Sequence, residues 1–333
     1  MSRKTPPRGW RDAELAAPAV AARLTDRDRY LVRMVGRHRV FTTEQLADMA
    51  FDSLTRARAR LGTLQRLGLL ERFRPHRPVG SAPWHYVLGP LGAALLETED
   101  RDIGGKWRAQ IRRDRLLSLE RSQRLGHMTG VNGFFSRLIR NQRQGRGRLR
   151  EWLNENDASH RFLPAWEVVR PDGFAIWADG DRESEFYLEY DTGSENLARL
   201  VAKLDDYAEL ARILSYRDQN AGDRRFDIPA YLPLVLFCFT NTRREASARQ
   251  ALKRHHQWRD LRIATATVPA DDTNPADSLW LPLASESGPG MRLSALGEAI
   301  PSPSPDSRSS RPLANNPDDE FDEYTDGIDP DEP

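Results

Sequence analysis

The chain has 333 residues and is almost neutral, with 50 Lys and Arg against 49 Asp and Glu, but the charge is unevenly spread. Residues 1–150 hold 31 basic against 14 acidic residues (+17), residues 151–300 hold 17 against 25 (−8), and residues 301–333 hold 2 against 10 (−8). The single Cys238 excludes a disulfide framework, no apolar run of about 18 residues offers a membrane span, and Met1-Ser2-Arg3-Lys4-Thr5-Pro6-Pro7 lacks a signal-peptide core, so a cytoplasmic protein without a membrane partner is expected.

A basic half of this size implies an anionic polymer as partner, most simply double-stranded DNA; a solvated helix surface is the plainer alternative. Residues 1–22, rich in Pro, Ala and Arg, read as a disordered basic N-terminus. From Thr25, an N-cap, the spacing of Tyr30, Leu31, Met34 and Val35 predicts a helix. Thr42 or Thr43 caps a second helix, with Leu46, Ala47 and Met49 inward. Ser53 or Thr55 opens a third, which ends at Gly68. A strand over Leu69 to Phe73, a turn-rich loop, a strand over Trp84 to Leu88 and a helix from Leu91 to Leu96 follow.

Three helices and a β-hairpin over 23–97 make a winged helix-turn-helix, with the third helix as the recognition element. Its outer face is expected to carry Arg56, Arg58, Arg60 and Arg66, with Leu61, Leu64 and Leu67 inward, while His76 and Arg77 sit on the wing. DNA is the partner this favours; a winged helix used for protein contact is the alternative. If six to eight of the arginines reach phosphates, affinity falls on the order of a thousandfold between about 50 and 200 mM salt. Residues 98–124 read as a basic linker helix, either joining two domains or forming an arm over DNA.

A second domain is expected over 125–270, in the order α-β-β-β-α-β and then α-β. Its elements are a helix from Met128 to Gln142, strands at Leu149 to Leu153, Phe174 to Ala178 and Glu185 to Asp191, a helix from Ser194 to about Leu214, and an apolar strand from Tyr231 to Phe239 that holds Cys238 as a buried thiol. A polar helix near 243–257 and a strand from Leu261 to Val268 complete it. Residues 271–333 read as a disordered tail, acidic at its end, that shields the basic face, docks a partner or only solubilises the chain.

Arg170-Pro171-Asp172-Gly173 and Phe186-Tyr187-Leu188-Glu189-Tyr190-Asp191 place carboxylates at neighbouring strand ends, and Glu189 and Asp191, two apart, share a face. Such carboxylates suit Mg²⁺ or Mn²⁺. The order and the residues resemble the PD-(D/E)xK restriction-endonuclease-like superfamily, with Asp172 and Glu189 in the acidic places and Asp191 where that motif has lysine. The resemblance implies Asp172, Glu189 and Asp191 as metal ligands, with Lys203, on the following helix, stabilising charge and Tyr207 beside it. The structural reading of the same residues is a Lys203 pairing on its own helix, an Asp172 that shapes a turn and carboxylates of a silent fold.

The N-terminal winged helix, the helix led by His127 with Val131-Asn132, Arg-Pro-Asp-Gly, the run Glu189 to Glu195 and Lys203-Leu204 with Tyr207 together resemble the replication-relaxation family over roughly 25 to 240. The resemblance implies a DNA-binding protein of plasmid or mobile-element replication, relaxation or mobilisation, working with other replication or relaxosome proteins. It is either a metal-dependent nickase or a non-enzymatic initiator, relaxosome accessory or transcriptional regulator with an inactive nuclease fold. A zinc site, a phosphate loop and a tyrosine beside a histidine triad have no matching spacing.

Overall fold

The computed structural model describes residues 10–76, 80–99, 124–162, 168–219, 231–269 and 273–301. Most of the basic 98–124 segment and the acidic tail lie outside them. No helix among the described residues is long and apolar enough to cross a membrane.

In the N-terminal part, α1 (Trp10–Ala21), α2 (Asp26–His38), α3 (Thr43–Ala50), α4 (Leu54–Arg66) and α5 (Pro90–Glu99) accompany an antiparallel sheet. Its strands β1 (Phe41–Thr42), β2 (Leu70–Phe73) and β3 (His85–Leu88) lie in the order β1-β3-β2. Local chemistry sets the helix starts. Thr25, Thr42 and Ser53 are extended, and their side chains accept from the amides of Asp28, Gln45 and Arg56. Asp28 and Gln45 accept in return from the amides of Thr25 and Thr42, completing two capping boxes. Each such cap stabilises by about 1 kcal/mol. After α4, Gly68 takes φ 81, a left-handed turn that glycine adopts without steric cost, and the chain swings into β2.

Residues 1–22 were expected to be disordered, but Trp10 to Ala21 form α1, packed on α5. The reason lies in side-chain size: Ala13 and Ala17 are buried, and small residues let two helices approach closely.

The second part contains α6 (Arg124–Arg143), β4 (Arg148–Asn154), α7 (Glu155–Ser159), β5 (Gly173–Asp179), β6 (Arg182–Asp191), α8 (Leu197–Gln219), β7 (Leu234–Phe239), α9 (Thr242–Arg254), β8 (Ile263–Thr267), β9 (Leu281–Pro282) and α10 (Leu296–Ala299). Its six strands follow chain order. β4, β5 and β6 form an antiparallel meander with a register shift between Leu149 and Glu151. β6, β7 and β8 are parallel and are joined by the crossover helices α8 and α9, and two-residue β9 closes the edge antiparallel. All six residues of β7 are buried, as a parallel strand covered on both faces requires.

Alternation along β6 assigns its faces. Phe186, Leu188 and Tyr190 join the core under α6, with Phe134 and Phe135, while Tyr187 joins a second core under α8 and α9. The first core runs on without a break into α2, α3 and α4, and polar contacts fix the docking. Asn132 donates to the carbonyls of His38 (3.1 Å) and Val40 (2.6 Å), Gln45 donates to Thr129 O (2.7 Å), and the Arg143 guanidinium binds Phe51 O (2.8 Å) and Asp52 (2.6 Å). The His38 ring stacks on Trp152 at 3.6 Å between centroids.

The disorder expected over 271–333 is corrected for 273–301, where Trp280, Leu283, Leu293 and Leu296 are buried. Two arginines stand in for a regular ladder there. Arg249 donates to Pro282 O (3.0 Å) and Ser285 O (2.6 Å), and Arg262 donates to Gly297 O and Ile300 O (both 2.6 Å).

Candidate functional site

The predicted basic face of α4 is present in part. Arg56, Arg58 and Arg66 are exposed. Arg56 lies 4.0 Å from Asp52, and Arg66 bonds Gly62 O (3.1 Å) and Thr63 (3.0 Å) one turn back. Arg60 departs from the expectation. Its guanidinium turns inward onto fully buried Asp28, with Nε 2.7 Å from Oδ1 and Nη2 on Oδ2. Burial works against the Asp28 charge, but the bonds from Arg60 and Thr25 outweigh it and hold the carboxyl below its ordinary range. Arg60 therefore joins α4 to the cap of α2. His76 is exposed beyond β2, and Arg77 lies outside the described residues.

The hairpin carries two cations that the sequence reading missed. Arg72 and Arg74 each place their guanidinium carbon 4.2 Å from the centre of the Trp84 ring. Arg74 follows the end of β2 and Trp84 precedes β3, so the ring closes over both cations at the loop end of the hairpin.

At the other candidate site, Asp172 closes the segment before β5. Its amide donates to Leu188 O (2.9 Å), and its carboxylate accepts from the Tyr190 amide (2.7 Å) and meets His127 Nε2 (3.1 Å). Burial disfavours the charged imidazole of His127, but the bond and charge of Asp172 prevail and raise its pKa above the ordinary value.

Glu189 is buried on β6. Lys203 Nζ stands 2.7 Å from its Oε2, and the Tyr207 hydroxyl donates to its Oε1 at 2.6 Å. Lys203 and Tyr207 are four apart on α8 and so share a helix face. Burial pushes the Glu189 carboxyl up to about 7, with the Asp172 charge adding to the rise and Lys203 opposing it. Burial works against the Lys203 charge, but Glu189 and Asp172 overcome it and hold its pKa above the ordinary lysine value. Burial, then the Glu189 charge, pushes Tyr207 well up.

Asp191 is drawn away. Arg244, on α9, holds its Oδ2 through Nε (2.8 Å) and Nη2 (2.7 Å), and the Gly193 amide donates to Oδ1. Glu189 and Asp191 do point to one side of the sheet, but α8 takes the first and α9 the second. Asp172, Glu189 and Asp191 are each engaged by protein donors, and Asp191 is held apart from the other two by Arg244. Among the described residues no group of three or more His, Cys, Asp or Glu side chains is placed to hold a metal ion. Asp172 and Glu189 stay close enough for their charges to interact, and their oxygens are the ones that could hold a hard cation.

The structure does bring together Asp172, Glu189, Lys203 and Tyr207, with His127 added, at one end of β5 and β6. Two carboxylates, an ammonium, a phenol and an imidazole there can donate, accept and neutralise charge. His127 and Arg244 were not anticipated as members, because their partners are 45 and 53 residues away in sequence and no local pattern marks them.

In a comparison with protein families, residues 32–223, more than half of the chain, match the family described as replication-relaxation. No curated protein and no solved structure matches the chain.

Proposed function

The chain belongs to the replication-relaxation family, and from that premise we propose that it binds double-stranded DNA during replication or relaxation of a plasmid or mobile element. α2 to α4 with the β2–β3 hairpin are read as a winged helix, with α4 as the element that enters the major groove. One observation carries this reading: the exposed arginines Arg56, Arg58 and Arg66 on α4, beside a hairpin where Trp84 holds Arg72 and Arg74. Guanidinium groups suit phosphate, and stacking on an aromatic ring reduces the freedom lost on binding.

The test is duplex affinity against salt, by fluorescence anisotropy. Each phosphate contact contributes about 0.9 to the log–log slope, so replacing Arg56, Arg58 and Arg66 with alanine should flatten it by about 3. An unchanged slope and affinity would overturn the reading.

A second reading, favoured by the meeting of Asp172, Glu189, Lys203 and Tyr207 at one strand end, makes the six-stranded domain PD-(D/E)xK-like and its site one for phosphodiester cleavage with Mg²⁺ or Mn²⁺. Its rival is a silent nuclease fold that serves as scaffold for an initiator, relaxosome accessory or regulator. Supercoiled plasmid in either cation separates them. Open circles from the wild type but not from Asp172→Ala or Glu189→Gln support cleavage. Intact supercoils with retained DNA binding support the scaffold.

A further inference from the structure

The basic face of α4 does not stop at the start of the helix. Asp52, the residue before the Ser53 cap, is shared by two arginines: Arg56 lies 4.0 Å from it, and Arg143, the last residue of α6, bonds it at 2.6 Å. Arg143 also binds Phe51 O (2.8 Å), so the end of α6 is fastened to the start of α4. The α6–β4 turn follows at once, and residues 143–148 read Arg-Gln-Gly-Arg-Gly-Arg. Arg146 is three residues past Arg143, which keeps the two Cα atoms within about 11 Å.

The turn is fixed at both ends. Gly145 and Gly147 both take φ 76, in the left-handed region that glycine enters freely. The Gly145 amide donates to Gln142 O (2.9 Å) and the Arg146 amide to Asn141 O (3.1 Å), closing the end of α6. Gln142 Oε1 accepts from the Leu149 amide (2.8 Å), which ties the start of β4 back to the helix. A side chain at 147 would run into the Trp177 ring and Ala178 O, so the backbone there lies against β5. On this frame Arg146 and Arg148 are exposed, and among the described residues neither is ion-paired. Carboxylates of the neighbouring elements are taken: Arg292 holds Asp179 (3.0 Å), Arg150 holds Glu183 (2.5 Å) and Arg140 lies 3.5 Å from Asp48. Asp52 is one carboxylate between two arginines, and exposed Asp181, on the β5–β6 turn, is one against Arg146 and Arg148. Exposed Glu44, on α3, offsets one more, and with Arg58 the strip from α4 to the turn keeps a positive excess.

We propose that the α6–β4 turn is a second contact for the duplex backbone, with Arg146 and Arg148 on phosphates next to the stretch that α4 enters. The inference rests on the duplex reading of α4 and adds a surface from the other half of the fold. The fork of a guanidinium matches phosphate oxygens in pairs. Phosphate contacts set register and orientation and read no sequence, so this one fixes how the six-stranded sheet lies along the DNA. A turn whose backbone is already fixed loses less freedom on binding than a loose one.

The test measures duplex affinity against salt for the full chain, by fluorescence anisotropy. Arg146→Ala/Arg148→Ala should flatten the log–log slope by about 1.8, because each phosphate contact contributes about 0.9. Arg146→Lys/Arg148→Lys keeps the charge and should keep most of the slope. Arg243→Ala/Arg254→Ala controls for bulk charge: both residues are exposed on α9, which packs on the second core, across the sheet from α6, and the slope should stay at the wild-type value. Equal unfolding midpoints keep folding out of the comparison. A turn variant with the wild-type slope overturns the proposal, and so does a control that flattens the slope as much as the turn variant. Replacing Arg56, Arg58 and Arg66 with alanine separates this claim from the one it rests on. If that variant flattens the slope and the turn variant does not, the proposal alone fails. If the turn variant flattens it and the α4 variant does not, the turn stands as a duplex contact and the α4 reading fails. A wild-type chain without salt-dependent duplex binding overturns both.

Discussion

The outer face of α4 and the end of β6 are both built from charged residues, but they handle charge in opposite ways. On α4, Arg56 and Arg58 stand in solvent, and the ion pair of Arg56 with Asp52 spans 4.0 Å between two well-exposed side chains. At β6, Glu189 and Asp191 are nearly buried and each is held by two or more short contacts. Exposed pairs contribute little to folding, so the α4 cations remain available to an external anion. Buried pairs are strongly coupled to folding, because losing one partner leaves the other uncompensated. Arg60 shows the boundary on a single helix: one residue in the arginine series turns inward and becomes structural.

The comparison can be broken most severely at Glu189. Glu189→Ala leaves partly buried Lys203 with only the longer contact to Glu195 (3.6 Å) and strands the Tyr207 hydroxyl, and is expected to destabilise by about 3 kcal/mol in urea unfolding, while Glu189→Gln keeps the hydrogen-bond geometry and should lose less. A silent Glu189→Ala would mean that the ion pair adds nothing to folding. Arg60→Ala strands the buried Asp28 carboxylate; because Arg60 is one-third exposed, the expected loss is smaller, about 2 kcal/mol.

His38 tests burial without an ion pair. Burial first, then the Arg37 charge, holds its pKa well below the ordinary value, so the ring stays neutral when folded and takes up a proton once unfolded. At His38 the unfolded chain therefore binds more protons below pH about 6.5, a contribution that lowers stability by about 1.4 kcal/mol per unit as pH falls and is opposed by Glu189, which burial keeps protonated below about 7 in the folded chain. His38→Phe should remove this contribution, which a series of unfolding curves between pH 7 and 5 would reveal. The smallest effect belongs to Arg58→Ala, within about 0.5 kcal/mol of wild type in stability, yet expected to reduce the salt slope of duplex binding by about 1.

Local signals were legible in the sequence where local chemistry decides. Thr25 caps its helix as expected, Thr42 rather than Thr43 and Ser53 rather than Thr55 cap the next two, and the apolar run ending at Phe239 contains the fully buried strand β7. Period-two alternation also put Glu189 and Asp191 on one face. What the sequence did not convey was which partner each charge would find. Arg60 sits at a helical spacing that looks outward, and only the approach of α2 turns it toward Asp28. Arg244 reaches Asp191 after a crossover helix and another strand. α1 and residues 273–301 escaped notice because their burial rests on Ala13, Ala17 and scattered single side chains such as Trp280, too sparse to make a periodic stripe.

The two margins of the six-stranded sheet have a consequence for how copies of this chain meet. An open strand edge is a template onto which another molecule's backbone can add. At one margin β9 is only two residues long and ends in Pro282, which has no amide hydrogen to donate. At the other, β4 carries Arg148 and Arg150 and loses register between Leu149 and Glu151. Neither margin offers a long, flat, uncharged ladder, so copies of this chain can meet at high concentration without stitching their sheets into fibres.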